Sequence, residues 1–156
     1  MLDCSASMLR GDRLAWAKGL LAGWVAQLYS AREDLVVLAF GGDHAQLIRP
    51  AAKAGLDMHW LVAAGGGGGT PLAAAVTAAD SLLAQARRRS PRRAIHISVL
   101  TDGRIADVPP RPRQADHCSV IDFESAAVPL ARAARLAEAW SADYAHVDDL
   151  VDAPLR

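Results

Sequence analysis

The sequence has few cysteines, few aromatic residues and no surplus of charge of either sign. Its 156 residues include two cysteines, too few for a disulfide framework or a cysteine-based zinc site. Seventeen Lys and Arg residues balance seventeen Asp and Glu residues. This balance argues against nucleic acid or an anionic membrane as the main partner, because binding to either depends on a basic surplus.

Long apolar segments are also absent from the sequence. No apolar run reaches the roughly 18–20 residues of a membrane span, and the N-terminus lacks the charged and apolar segments of a secretory signal. Hydrophobic residues make up 52% of the chain and charged residues 22%, which is typical of a globular protein. We therefore expect a cytoplasmic protein with one domain, residues 1–156.

Helical and strand-like segments alternate along the chain. Apolar residues recur at helical spacing in three segments, and continuous apolar runs of strand length separate them. The helical segments are 12–29, 72–86 and 130–140, and the strand-like runs are 35–40, 94–101 and 117–123; a short helix also fits 55–64, and a short final strand fits 143–147. This order predicts an α/β fold with a mostly parallel sheet and helices on both faces. The turn at 41–43 predicts a further edge strand over 44–49 that ends at Pro50.

Short oxygen-bearing side chains recur where predicted strands end. Asp3, Ser5 and Ser7 alternate in one extended segment and so face one side, Thr70 follows the glycine run 65–69, and Asp102 ends a strand. The carboxyl ends of parallel strands meet at one sheet edge, so these side chains are predicted to converge. Two carboxylates and three hydroxyls form a hard, all-oxygen donor set that suits Mg²⁺ or Mn²⁺.

These five positions resemble the metal-ion-dependent adhesion site (MIDAS) of von Willebrand factor A (vWA) domains. Within that family, the chain is most similar to the C-terminal domain of magnesium chelatase and cobaltochelatase D subunits. The segments that carry this similarity are Phe40-Gly-Gly-Asp43, Gly68-Gly-Thr-Pro-Leu72, Leu100-Thr-Asp-Gly-Arg104, Val120-Ile-Asp-Phe-Glu124 and Val147-Asp-Asp-Leu150. The resemblance implies a Rossmann-like vWA fold with strand order 3-2-1-4-5-6 and an antiparallel strand at one edge.

The resemblance also implies a role for each site residue. Ser5, Ser7 and Thr70 would be direct or near-direct metal ligands, whereas Asp3 and Asp102 would act largely through coordinated waters. The domain would bind an acidic side chain of a partner through Mg²⁺ and would catalyse nothing itself. In chelatases the partners are an AAA+ ATPase subunit and the large tetrapyrrole-binding subunit.

The sequence departs from the family pattern at two places. Ala6 stands between the two serines, where the family usually has glycine. The apolar first strand is reduced to Met1 and Leu2 before Asp3, so we expect the first strand to be truncated at a misplaced start or a fragment boundary.

Two other functions fit parts of the same pattern. A vWA protein that serves a MoxR-like AAA+ chaperone would share the fold and the metal site. A phosphatase of the haloacid-dehalogenase type would use Asp3 as nucleophile, Thr101 or Thr70 as phosphate ligand and the pair 148–149 as metal carboxylates. That chemistry normally needs a second aspartate two residues after the nucleophile as general acid, and Ser5 stands there.

Overall fold

The structure, a computed structural model, describes residues 1–53, 55 and 57–151. Within these residues it contains six strands and five helices, and none of the helices is long and apolar enough to cross a bilayer. In chain order they are β1 (Leu2–Asp3), α1 (Arg13–Ala31), β2 (Asp34–Gly41), β3 (His44–Lys53), α2 (His59–Ala63), α3 (Leu72–Arg89), β4 (His96–Thr101), β5 (His117–Asp122), α4 (Arg132–Trp140), β6 (Asp143–His146) and α5 (Val147–Val151). The predicted α/β class is confirmed.

The six strands form one mixed sheet in the order β3-β2-β1-β4-β5-β6. Strands β2, β1, β4, β5 and β6 are parallel, and β3 pairs with β2 in the antiparallel direction at the edge. This is the strand order that the sequence resemblance implies. Because β1 and β4 are parallel neighbours, the segments that follow them leave the sheet side by side at its centre.

Helices cover both faces of the sheet, as the sequence predicts. Helices α1 and α2 contribute to one buried apolar cluster, and α3 and α4 contribute to a second. Adjacent strand residues fall into different clusters, as with Val99 and Leu100 in β4, because successive side chains of a strand point to opposite faces. The sheet therefore separates two cores.

The edge strand β3 is longer than the sequence predicts, since it continues through Pro50 to Lys53. The pairing of β2 with β3 is irregular here, with register shifts on both sides of Val37. Proline lacks a backbone N–H, and an edge strand at a bulge does not need one for the ladder. The proline therefore does not end this strand.

Strand β1 is short but central. Leu2 pairs with both Ala39 of β2 and Leu100 of β4, and the N–H of Cys4 continues the ladder by donating to the carbonyl of Phe40 over 2.7 Å. The ammonium group of Met1 donates to the carbonyl of Ser98 over 2.6 Å. These bonds hold the following segment, residues 3–7, at the middle of the sheet edge.

Candidate metal centre

Four of the five predicted site residues form one hydrogen-bonded chain. The backbone N–H of Ser5 donates to Asp3 Oδ1 over 2.8 Å, and the hydroxyls of Ser5 and Ser7 are 3.1 Å apart. The hydroxyl of Ser7 then donates to Asp102 Oδ1 over 3.0 Å. All four residues are buried. The parallel arrangement of β1 and β4 thus brings residues about a hundred positions apart into direct contact.

Asp3 is held by a partner that the sequence argument missed. The hydroxyl of Thr101 donates to Asp3 Oδ2 over 2.6 Å and itself accepts the N–H of Gly103 over 3.1 Å. Burial raises the pKa of Asp3, while the hydrogen bonds from Thr101 and Ser5 oppose that rise. The sequence offered Thr101 only as a phosphate ligand of a phosphatase, although its position beside Asp102 was a signal that it reaches the same edge.

Asp102 has one satisfied and one unsatisfied carboxylate oxygen. Its Oδ1 accepts the Ser7 hydroxyl and the N–H of Arg104, the latter over 3.3 Å. Its Oδ2 has no hydrogen-bond partner in the described part of the chain, although the side chain is only 2% exposed. Buried polar atoms are normally paired, so an unpaired carboxylate oxygen indicates a place for a cation or water.

Two guanidinium groups lie near this unpaired oxygen. Arg13 NH1 is 3.8 Å and Arg104 Nε is 3.7 Å from Asp102 Oδ2. Arg13 also donates from NH1 to the carbonyl of Ser7 over 2.9 Å and from NH2 to the Ser125 hydroxyl over 2.7 Å. Arg13 therefore ties the serine segment to the loop after β5. The sequence did not predict these contacts.

Thr70, the fifth predicted residue, lies in the glycine-rich loop, and this loop contacts the segment that carries Ser5 and Ser7. The N–H of Ala6 donates to the carbonyl of Gly68 over 3.0 Å, which fixes the glycine-rich loop against residues 5–7. The half-buried Thr70 hydroxyl makes no hydrogen bond to any described residue. The structure thus positions the loop beside the site without joining Thr70 to the hydrogen-bonded chain.

Glycines on the opposing loop explain how Ala6 is accommodated where the resembled family has glycine. A Cβ at Gly66 would lie 2.5 Å from the carbonyl oxygen of Cys4. Gly68 has a left-handed φ of +68°, and a Cβ there would lie 2.8 Å from Gly42 Cα. The close approach of the loop to the serine segment therefore depends on Gly66, while Gly68 allows the loop to approach the turn at Gly42 and Ala6 itself is exposed.

The donor set fits a small divalent cation. In an octahedral Mg²⁺ site with bonds of about 2.1 Å, neighbouring ligand oxygens are about 3 Å apart. The Ser5–Ser7 and Ser7–Asp102 oxygen separations, 3.1 and 3.0 Å, match that spacing. Across residues 1–53, 55 and 57–151, no cluster of three or more His, Cys, Asp or Glu side chains could hold a metal. A metal site here therefore has to include hydroxyl ligands.

The two cysteines do not add a nucleophile to this edge. Both thiols are buried, and burial raises the pKa of Cys4 to about 11. Burial also raises the pKa of Cys118. Both thiols therefore stay protonated near neutral pH.

No protein-family model matches this chain, and no curated protein matches it either. The residues at the sheet edge, through their chemistry, are therefore the guide to function.

Proposed function

We propose that this chain is a vWA-type domain that binds an acidic side chain of a partner protein through a divalent metal ion. The observation that carries the proposal is the buried Asp102 carboxylate: its Oδ1 ends a chain of closely spaced oxygens, and its Oδ2 has no hydrogen-bond partner among the described residues. A buried carboxylate oxygen that lacks a hydrogen bond costs free energy that a directly bound cation would recover.

The five residues would have different roles in binding Mg²⁺ or Mn²⁺. Ser5, Ser7 and Thr70 would supply neutral oxygens, and Asp3 and Asp102 would hold the hydroxyls in place and carry the negative charge. A bound Mg²⁺ with so few anionic ligands would supply an electrophilic position for a further carboxylate. Nothing in this arrangement requires the chain to catalyse a reaction.

Within the vWA class, the resemblance supports a D-type component of a magnesium chelatase or cobaltochelatase. We infer that the domain acts in the cytoplasm with an AAA+ ATPase and with the large tetrapyrrole-binding subunit. A vWA protein working with a MoxR-like AAA+ chaperone would use the same site. Neighbouring genes distinguish the two, because a chelatase component should be encoded beside tetrapyrrole or cobalamin genes.

The contacts of Asp3 favour these functions over the phosphatase alternative. Its side chain is fully buried, and both of its oxygens accept hydrogen bonds, from Thr101 and from the backbone of Ser5. A nucleophilic carboxylate needs an accessible oxygen lone pair directed at the substrate. Asp3 instead has the contacts of a supporting carboxylate.

Removal of the Ser7 hydroxyl tests the proposed metal site. We expect Ser7→Ala to weaken Mg²⁺ binding about tenfold, because this hydroxyl bridges Ser5 and Asp102. Isothermal titration with Mg²⁺ measures the change, and Ser30→Ala is the matched control, since Ser30 bonds only within α1.

The same variants test partner binding. The wild-type chain is expected to capture the candidate ATPase or large chelatase subunit in Mg²⁺ and to release it in EDTA. Capture that continues in EDTA, or that Ser7→Ala leaves unchanged, would contradict the metal mechanism.

A further inference from the structure

We propose that Arg104, together with Arg13, is the resident counter-cation of Asp102, so that the site binds a divalent metal weakly until an anion joins it. This inference rests on the proposed function. It adds a specific consequence: metal and anionic partner should bind cooperatively, and Arg104 should set the strength of that coupling.

The geometry places both arginines on the one carboxylate oxygen that lacks a hydrogen bond. Arg104 Nε and Arg13 NH1 lie 3.7 and 3.8 Å from Asp102 Oδ2, too far for a hydrogen bond and close enough for strong charge interaction. The Asp102 side chain is 2% exposed, whereas the side chains of Arg13 and Arg104 are 20% and 43% exposed, so solvent screens the interaction from the arginine side only. The arginines therefore compensate the buried charge without occupying the lone pairs of the oxygen.

The formal charges of the site explain why an anion is needed. Asp3 and Asp102 carry two negative charges, and Arg13 and Arg104 carry two positive charges, so these four side chains sum to zero. A divalent ion added to them leaves a surplus of two positive charges in a buried place. A carboxylate from a partner reduces that surplus, and the coupling must be reciprocal because it is a property of the binding free energies.

Arg104 is the better of the two residues to test. The guanidinium of Arg13 also bonds Ser7 and Ser125, so its removal would disturb the serine segment itself. The Arg104 side chain is 43% exposed, and its one ion pair or hydrogen bond with a described residue is the pair with Asp102. Its backbone N–H, which donates to Asp102 Oδ1, is unaffected by a change of side chain.

The experiment measures Mn²⁺ affinity by the electron paramagnetic resonance signal of the free ion. We expect Arg104→Gln to bind Mn²⁺ about tenfold more tightly than wild type, because one positive charge beside the Asp102 carboxylate is removed. Arg88→Gln is the control: Arg88 is exposed and sits near the C-terminal end of α3, roughly 24 Å along the helix from its start. It should leave the Mn²⁺ affinity unchanged.

Thermal unfolding without metal supplies a second readout: the variant that binds Mn²⁺ more tightly should be less stable. Arg104→Gln should lower the Tm by about 2–4 °C, because Asp102 loses one of its two neighbouring cations. A merely structural role for Arg104 would lower both stability and metal affinity. A lower Tm combined with tighter Mn²⁺ binding is the result that supports charge compensation.

Acetate serves as the anionic probe, compared with chloride at equal ionic strength and corrected for the Mn²⁺–acetate complex. Acetate should raise the Mn²⁺ affinity of the wild-type chain and raise that of Arg104→Gln less. If wild type binds Mn²⁺ and Arg104→Gln binds it equally or more weakly, charge compensation is wrong and the proposed function stands. If neither wild type nor Arg104→Gln binds Mn²⁺, both charge compensation and the proposed function are wrong.

Discussion

Replacing Asp3 by alanine is expected to lower the free energy of unfolding by about 3 kcal/mol, because two buried donors lose their acceptor. These donors are the Thr101 hydroxyl, at 2.6 Å, and the Ser5 N–H, at 2.8 Å. Asp3 is fully buried at the centre of the sheet, so water cannot replace the lost carboxylate without opening the structure. Urea unfolding monitored by tryptophan fluorescence measures the change.

Asparagine at the same position separates the hydrogen bonds from the charge. Asp3→Asn retains an acceptor for the Ser5 N–H and relieves the desolvation that raises the pKa of Asp3. We therefore expect a stability loss of about 1 kcal/mol or less, together with loss of Mg²⁺ binding equal to that of Asp3→Ala. If Asp3→Ala is as stable as wild type, the hydrogen-bonded chain from Asp3 to Asp102 does not support the fold as described.

Replacing Gly66 by alanine is expected to separate the glycine-rich loop from the serine segment. The new Cβ would lie 2.5 Å from the Cys4 carbonyl oxygen, a backbone atom that cannot move without disturbing β1. Overpacking of this kind costs about 2 kcal/mol. The loop would relieve it by moving away with Thr70, and restoring the binding geometry would then cost about thirtyfold in Mg²⁺ affinity.

Gly65→Ala is the matched control in the same loop. A Cβ at Gly65 would meet its nearest atom, the Ala63 carbonyl oxygen, at 3.9 Å, an ordinary contact distance. We expect this variant to keep wild-type stability and Mg²⁺ affinity in the same titrations. Equal losses in Gly65→Ala and Gly66→Ala would indicate a general sensitivity of the loop and contradict the specific contact with Cys4.

The periodicity of apolar residues predicted most of the secondary structure. The run 35–40 became β2 and the helical spacing over 12–29 became α1, with ends shifted by one or two residues. The short helix α2 begins at His59, later than the apolar pattern over 55–64 predicts, and residue 56 lies outside the described residues. Pro50 was misread as the end of the edge strand, because the local sequence does not show the register shifts beside Val37 that allow a proline to remain in it.

The part of the site that follows from strand ends sharing one sheet edge could be predicted from the sequence. Asp3, Ser5, Ser7 and Asp102 lie together as the sequence indicates, since parallel strands direct their carboxyl ends to one side. The bond from Thr101 to Asp3 and the bonds from Arg13 to Ser7 and Ser125 could not be predicted. They depend on side-chain directions and on strand neighbours that are distant in sequence.

The sequence by itself determined the α/β class, the positions of the buried strands and the oxygen-rich chemistry of the edge, because these follow from local periodicity and residue type. The tertiary structure alone decided which of those oxygens are paired. It buried Asp102 with one oxygen lacking a hydrogen bond from the described residues, and it placed two arginines just beyond hydrogen-bonding distance. Burial and interatomic distance depend on the packing of segments about a hundred residues apart, and they determine whether a carboxylate can take up a cation.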